Sequence, residues 1–173
     1  MVTERESKPR TPLAPESMHG KNPFNDKETE LIQSWANGGE TTFDTAPLRR
    51  RIKEKTIDHL DFFEDEYRDT PIPFVVYYMA RNNLIDNPHG TEAYEKLTTI
   101  ESIALSMYAE GKGARVIAER LNRKRGSTDR LLNELVRKMR VPDLNAAVAK
   151  RAFMENADRG KPARSSSAVH SPE

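Results

Sequence analysis

The residues with the clearest chemical bias lie between Lys112 and Arg140, where ten lysines and arginines stand against three acids. This stretch carries a net charge of +7, whereas the whole chain of 173 residues carries only +1. A local surplus of this kind is the electrostatic footprint of a polyanion partner. Guanidinium groups hold phosphate or grip guanine in a bidentate fork, so the residue types favour nucleic acid. The alternative is a solvated helix face with a plain surplus of basic residues.

Other kinds of chemistry find little support in the sequence. The chain has no cysteine, which excludes a disulfide scaffold, a thiol nucleophile and a cysteine-ligated zinc site. The four histidines are scattered and show no metal-binding spacing. Gly111-Lys112-Gly113 lacks the preceding strand and the Gly-Lys-Ser/Thr ending of a phosphate loop. The sequence therefore predicts that the protein is not an enzyme and that it holds no metal or cofactor.

The elements that must position the basic residues are predicted to be helices, because no sustained apolar/polar alternation and no hairpin turn occur. In the first half, apolar spacing predicts a helix from Asn25 or Asp26 to Ala36, ended by Asn37-Gly38-Gly39. A longer helix runs from Pro47 to Arg68. The segment from Thr70 to Pro73 is expected to break it, because proline cannot continue a helix. A third helix follows from Phe74 to Leu84, and Thr91 is the expected N-cap of the next one.

Four further helices are predicted in the second half. Their expected bounds are Glu101–Ala109, Arg115–Leu121, Gly126–Met139 and, beginning at Leu144 or Asn145, a last helix ending at Phe153. A turn of Asn122-Arg123-Lys124 joins the second and third of these. The residues expected to point into the core are Ile103, Ala104, Met107, Tyr108, Leu131, Leu135 and Met139. Two short helices joined by a tight turn are the layout in which the second helix enters a major groove.

Composition divides the chain into four segments. Residues 1–22 and 156–173 are rich in proline, glycine, serine and charge, and they are expected to be disordered tails. Residues 24–95 form a helical segment, whose stretch from Asp26 to Asp69 holds twelve acids and seven bases. Residues 96–155 form a helix-turn-helix domain. The polar N-terminus predicts no secretory signal, and no apolar run is long enough to span a bilayer.

Several spaced motifs of the second half have a familiar order. They are Leu97-Thr98-x-x-Glu101, Ala109-Glu110-Gly111, Ile117-Ala118-Glu119-Arg120-Leu121, Leu135-Val136-Arg137-Lys138-Met139-x-Val141 and Ala146-Ala147-Val148. In these motifs the C-terminal third of the chain resembles the LuxR-type (NarL/FixJ-like) helix-turn-helix domain. The resemblance implies a four-helix DNA-binding domain whose third helix reads the groove and whose fourth commonly forms a dimer contact.

The resemblance and the basic surplus together give a set of candidate DNA-binding residues. They are Arg115, Arg123, Lys124, Arg125, Ser127, Thr128, Arg130, Arg137 and Lys138. For Ser127 and Thr128 the alternative is helix capping or back-bonding to the helix, and for Arg137 and Lys138 it is a favourable interaction with the helix dipole. The chain departs from the family pattern at four positions. Lys124 replaces the usual cap serine, Asp129 stands where a DNA-contacting lysine is common, Leu131 replaces a histidine, and Gly126 weakens the first turn of the helix.

The sequence thus predicts an all-α protein of the cytoplasm that binds double-stranded DNA as a transcriptional regulator, reading the major groove with the helix Gly126–Met139. A homodimer and a protein partner bound through residues 24–95 are further expectations. Two alternatives stay open. One is a protein-interaction module that kept the fold and lost DNA binding, which Asp129 and Gly126 favour. The other is a sigma-factor-like transcription subunit.

Overall fold

The computed structural model describes residues 22–39, 45–60, 71–92 and 95–160, and across these ranges the chain forms seven α-helices and no strand. The predicted all-α class is therefore confirmed. The helices are α1 (Asp26–Asn37), α2 (Ala46–His59), α3 (Pro71–Arg81), α4 (Thr99–Ala109), α5 (Ala114–Arg120), α6 (Arg125–Met139) and α7 (Leu144–Asp158). None of these helices is long and apolar enough to cross a membrane.

Local sequence explains where α1 and α4 begin. Asn25 accepts a hydrogen bond from the Glu28 backbone, and the Glu28 carboxylate accepts one in return from the Asn25 backbone. Thr98 and Glu101 form the same reciprocal capping box at the start of α4. Each pair satisfies two backbone N–H groups that a helix start would otherwise leave unpaired. The carboxylates of both glutamates are buried.

A lysine from another helix neutralises each of these buried carboxylates. Lys55 of α2 places its Nζ 2.6 Å from Glu28 Oε2. Lys138 of α6 places its Nζ 2.7 Å from Glu101 Oε1 and 3.0 Å from Glu101 Oε2. A buried charge is stable only when it is paired and hydrogen-bonded. Each capping box therefore also links two helices, α1 with α2 and α4 with α6.

The main core joins the two halves of the sequence. Val75, Val76 and Met79 of α3 pack with Phe153 and a run of buried alanines on α7, and α1 contributes Leu31, Ile32 and Trp35 to the same cluster. The alanines of α7 are Ala146, Ala147, Ala149 and Ala152. Small side chains let α3 and α1 approach α7 closely at native packing density. The two predicted segments, residues 24–95 and 96–155, thus share one hydrophobic core.

A second, smaller core supports α5 and α6. Ala104 and Met107 of α4 pack against Ile117 of α5 and Leu132 of α6. Leu131, expected inside, is only partly buried at the edge of this cluster. Ile103 was also expected inside but is 44% exposed, because α4 turns Glu101, Ala104 and Leu105 inward instead.

Three helix boundaries of the first half differ from expectation. The segment expected to break the second helix instead starts α3, because Pro71 and Pro73 occupy its first turn, where an N–H has no helical partner. The second helix ends at His59, where Leu60 turns into the core, and not at Arg68; residues 61–70 lie outside the described ranges. The cap of the following helix is Thr98, not Thr91.

The last helix is longer than predicted and includes part of the expected C-terminal tail. It continues through Asp158, and Asn156 is fully buried. Asn156 Nδ2 donates to Ala80 O (3.1 Å) and to Asn83 Oδ1 (3.2 Å), while Arg81 Nη1 donates to Asn156 Oδ1 at 2.7 Å. These hydrogen bonds cap the end of α3. The residues from 156 to 158, which composition predicted to be disordered, therefore belong to α7. Residues 1–21 and 161–173 of the predicted tails lie outside the described part of the chain.

Two glycine substitutions are expected to change stability in opposite directions. Gly38 has φ +74°, and a Cβ there would lie 2.5 Å from the Pro142 Cβ. Gly38→Ala should cost about 2 kcal/mol, since it adds left-handed strain to that overlap. A Cβ at Gly126 meets nothing within 4 Å. Gly126→Ala should therefore add about 0.5 kcal/mol. Urea denaturation measures both, and equal effects would contradict the packing described.

Candidate nucleic-acid interface

The predicted turn between α5 and α6 is present. Seven residues form α5, and residues 121–124 connect it to α6. Asn122 adopts the left-handed conformation with φ +50°, which asparagine tolerates better than most residues. The Arg123 backbone N–H then bonds back to Ala118 O at 2.8 Å, closing the end of α5. The turn therefore has a defined shape that fixes where α6 starts.

Four cations cluster at this turn and on the first turns of α6 without a protein partner. Across the described residues their side chains make no ion pair or hydrogen bond and are exposed. They are Arg123, Lys124, Arg125 and Arg130. All four belong to the predicted set. Arg123, Lys124 and Arg125 are consecutive residues, so their mutual repulsion is unfavourable in the protein alone, and an anion would relieve it.

Other predicted cations are paired within the protein. Arg115 Nη1 lies 2.7 Å from Glu119 Oε1 on the exposed face of α5. Arg137 Nε donates to Glu134 Oε2 at 3.0 Å, and its Nη2 lies 3.7 Å from Glu95 Oε2. Hydrogen bonding to Glu134 raises the pKa of Arg137 and lowers that of Glu134. These exposed pairs are weak and leave both arginines accessible to a partner.

Lys138 differs from these exposed arginines, because most of its side chain is covered by the protein. Its side chain is 18% exposed and its amine is bound to the Glu101 carboxylate. Burial by itself would raise the pKa of Glu101, but the hydrogen bonds from Lys138 and Thr98 outweigh it and hold the pKa below its ordinary value. Lys138 was predicted to contact DNA, and in the structure its amine is already bound by the Glu101 carboxylate, which links α6 to α4.

Thr128 is also internal, and Ser127 is partly buried. The Thr128 hydroxyl donates to Lys124 O at 3.3 Å, so it bonds back to its own helix. Thr128 lies four residues before Leu132 and seven before Leu135, which places all three on the inward face of α6. A phosphate contact from the Thr128 hydroxyl is therefore not compatible with this packing.

The outward face of α6 carries a row of polar residues that the sequence analysis did not identify as one surface. Arg125, Asp129, Asn133 and Arg137 follow each other at four-residue steps, and all four are exposed; we call them the outer stripe. Asn133 was not among the predicted site residues, although the four-residue spacing from Asp129 was visible in the sequence. In the described residues, Asp129 and Asn133 have no side-chain partner.

The start of α6 lacks a side-chain cap. Lys124 is the N-cap residue and makes no side-chain hydrogen bond to the helix, whereas Asn25, Thr98 and Asp143 cap α1, α4 and α7. The positive end of the α6 dipole and its first N–H groups therefore add to the charge of the four unpaired cations. This combination suits an anion such as a phosphate.

Comparisons of the chain with protein-family models, with curated proteins and with solved structures found no significant match in any of the three.

Proposed function

We propose that the protein binds double-stranded DNA in a sequence-specific manner and regulates transcription in the cytoplasm, with α6 in the major groove. The observation that carries the proposal is the group of Arg123, Lys124, Arg125 and Arg130, which are exposed and have no partner within the described part of the chain. Two other cations of this region are paired with acids, Arg115 with Glu119 and Lys138 with Glu101. The LuxR-type resemblance of the sequence supports the same role for α6.

The shape of the surface favours duplex DNA over other polyanions. The fifteen residues of α6 make a rod about 22 Å long. Its outer stripe presents donors and acceptors along the exposed side, and the major groove of B-form DNA, about 12 Å wide, admits such a helix. The deep, narrow major groove of an A-form RNA duplex does not. Cations at the start of the helix are placed to hold the phosphates that flank the groove.

A protein-interaction module is the second candidate, and one observation favours it. Ile100 and Ile103 on α4 are 46% and 44% exposed and lie three residues apart on one face. A protein partner could cover them. The two candidates differ in their response to salt, because an apolar contact releases no counterions.

Binding to duplex DNA should weaken steeply as salt rises. If the four unpaired cations each neutralise one phosphate, the logarithm of the association constant should fall against the logarithm of salt concentration with a slope of about −3.6. Fluorescence anisotropy with a labelled duplex between 50 and 200 mM salt measures it, and the affinity should drop about 150-fold over that range. A slope near zero, or no binding at low salt, would rule out the proposed function.

A further inference from the structure

We infer that Asp129 and Asn133 are the residues that read the DNA sequence, Asp129 selecting a cytosine and Asn133 an adenine. The inference rests on the proposed function and adds the base chemistry that the site recognises. It starts from the outer stripe, where a carboxylate and an amide stand between Arg125 and Arg137, exposed and without a partner among the described residues.

The position of Asp129 is unfavourable unless the carboxylate has a specific partner. Arg125 precedes it by four residues and Arg130 follows it directly, yet no ion pair forms with either. A carboxylate on a phosphate-binding face also repels the DNA backbone. In the major groove only cytosine N4 and adenine N6 donate hydrogen bonds, and aspartate typically accepts from cytosine. The same carboxylate faces acceptors on guanine and thymine, so it rejects those bases by repulsion.

Asn133 supplies the complementary chemistry one helical turn further along. An asparagine amide offers a donor and an acceptor that match N7 and N6 of adenine in a bidentate pair. The four-residue step from Asp129 corresponds to about 6 Å along the helix axis. At 3.4 Å for each base pair, the cytosine and the adenine should lie about two base pairs apart.

The experiment is a selection from duplex oligonucleotides with a randomised centre. Five full-length chains are compared: the parent, Asp129→Ala, Asn133→Ala, Asn133→Arg and a control. The control is Asp158→Ala, which removes the same charge as Asp129→Ala from the exposed end of α7. The parent and the control should recover one shared sequence containing the C and the A. Asp129→Ala should lose discrimination at the C and Asn133→Ala at the A, each by about 5- to 150-fold, which corresponds to about 1–3 kcal/mol.

Asn133→Arg guards against a trivial loss of folding, because it should exchange the preferred adenine for guanine, a gain that an unfolded variant cannot produce. A shared sequence that none of the three variants changes would overturn the inference while leaving DNA binding in place. DNA recovered without any shared sequence would overturn it as well. If the parent recovers no duplex at low salt, the proposed function itself fails.

Discussion

Replacing Arg125 and Arg130 together with alanine should lower the affinity for the target duplex by about 2–5 kcal/mol, taking about 1–3 kcal/mol for each arginine that contacts DNA. Both side chains are exposed and make no hydrogen bond or ion pair with any residue that the structure describes. The helix should therefore remain intact, and circular dichroism should match that of the parent. Anisotropy titrations at one fixed salt concentration measure the loss.

A matched variant separates a local contact from a general loss of positive charge. Arg50→Ala with Arg51→Ala removes the same charge from the exposed face of α2. We expect this variant to bind within about threefold of the parent, because screening at physiological salt limits the influence of distant charges. An equal loss of affinity in both double variants would show that Arg125 and Arg130 act only through net charge, and it would contradict a direct contact between α6 and DNA.

Replacing Lys138 with methionine should destabilise the protein by about 3 kcal/mol, one of the largest effects expected of a single substitution here. The change leaves the Glu101 carboxylate buried without its counter-ion, which is the costly way to break a buried pair. Adding Glu101→Gln should restore most of the stability, since glutamine is neutral and still accepts the capping bond from the Thr98 backbone. Urea denaturation of the parent and of these two variants measures both steps.

The same pair has a consequence for pH and for DNA binding. Because the folded-state pKa of Glu101 lies below 4.5, its contribution to stability is present above that pH and is lost as pH falls through the lower folded value. The variant with both Lys138→Met and Glu101→Gln should lack this part of the acid sensitivity.

The variant with both Lys138→Met and Glu101→Gln should also bind DNA within about threefold of the parent. A large loss of affinity in this variant, if it is folded, would indicate that Lys138 contacts DNA.

The order of the helices and some of their ends could be predicted from sequence, because they depend on neighbouring residues. The glycine after α1, the proline at the start of α2 and the turn at Asn122 are local signals of this kind. Predictions failed where tertiary packing outweighed local composition. Asn156 was read as part of a polar tail, yet it is buried because it caps α3, which lies 73 to 76 residues earlier in the chain.

The candidate site shows the same division. The basic run located the exposed cations, because charge surplus is a property of composition. It could not distinguish Arg125, which has no partner among the residues described, from Lys138, which is bound by Glu101 of another helix. The choice between a phosphate contact and back-bonding for Thr128 stayed open in the sequence, because its inward position depends on which face of α6 packs against α4 and α5. Asn133 carries no charge, so the basic surplus gave no reason to select it.

The most direct test of the account is to map which backbone amides change on DNA binding. The uniformly ¹⁵N-labelled chain would be titrated with a short duplex at low salt, and amide chemical shifts would be followed by NMR. We predict that the largest changes fall between Asn122 and Asn133, at the turn and the first half of α6. Largest changes in α2 or α3, or no change at all, would contradict the claim that α6 is the DNA-reading helix.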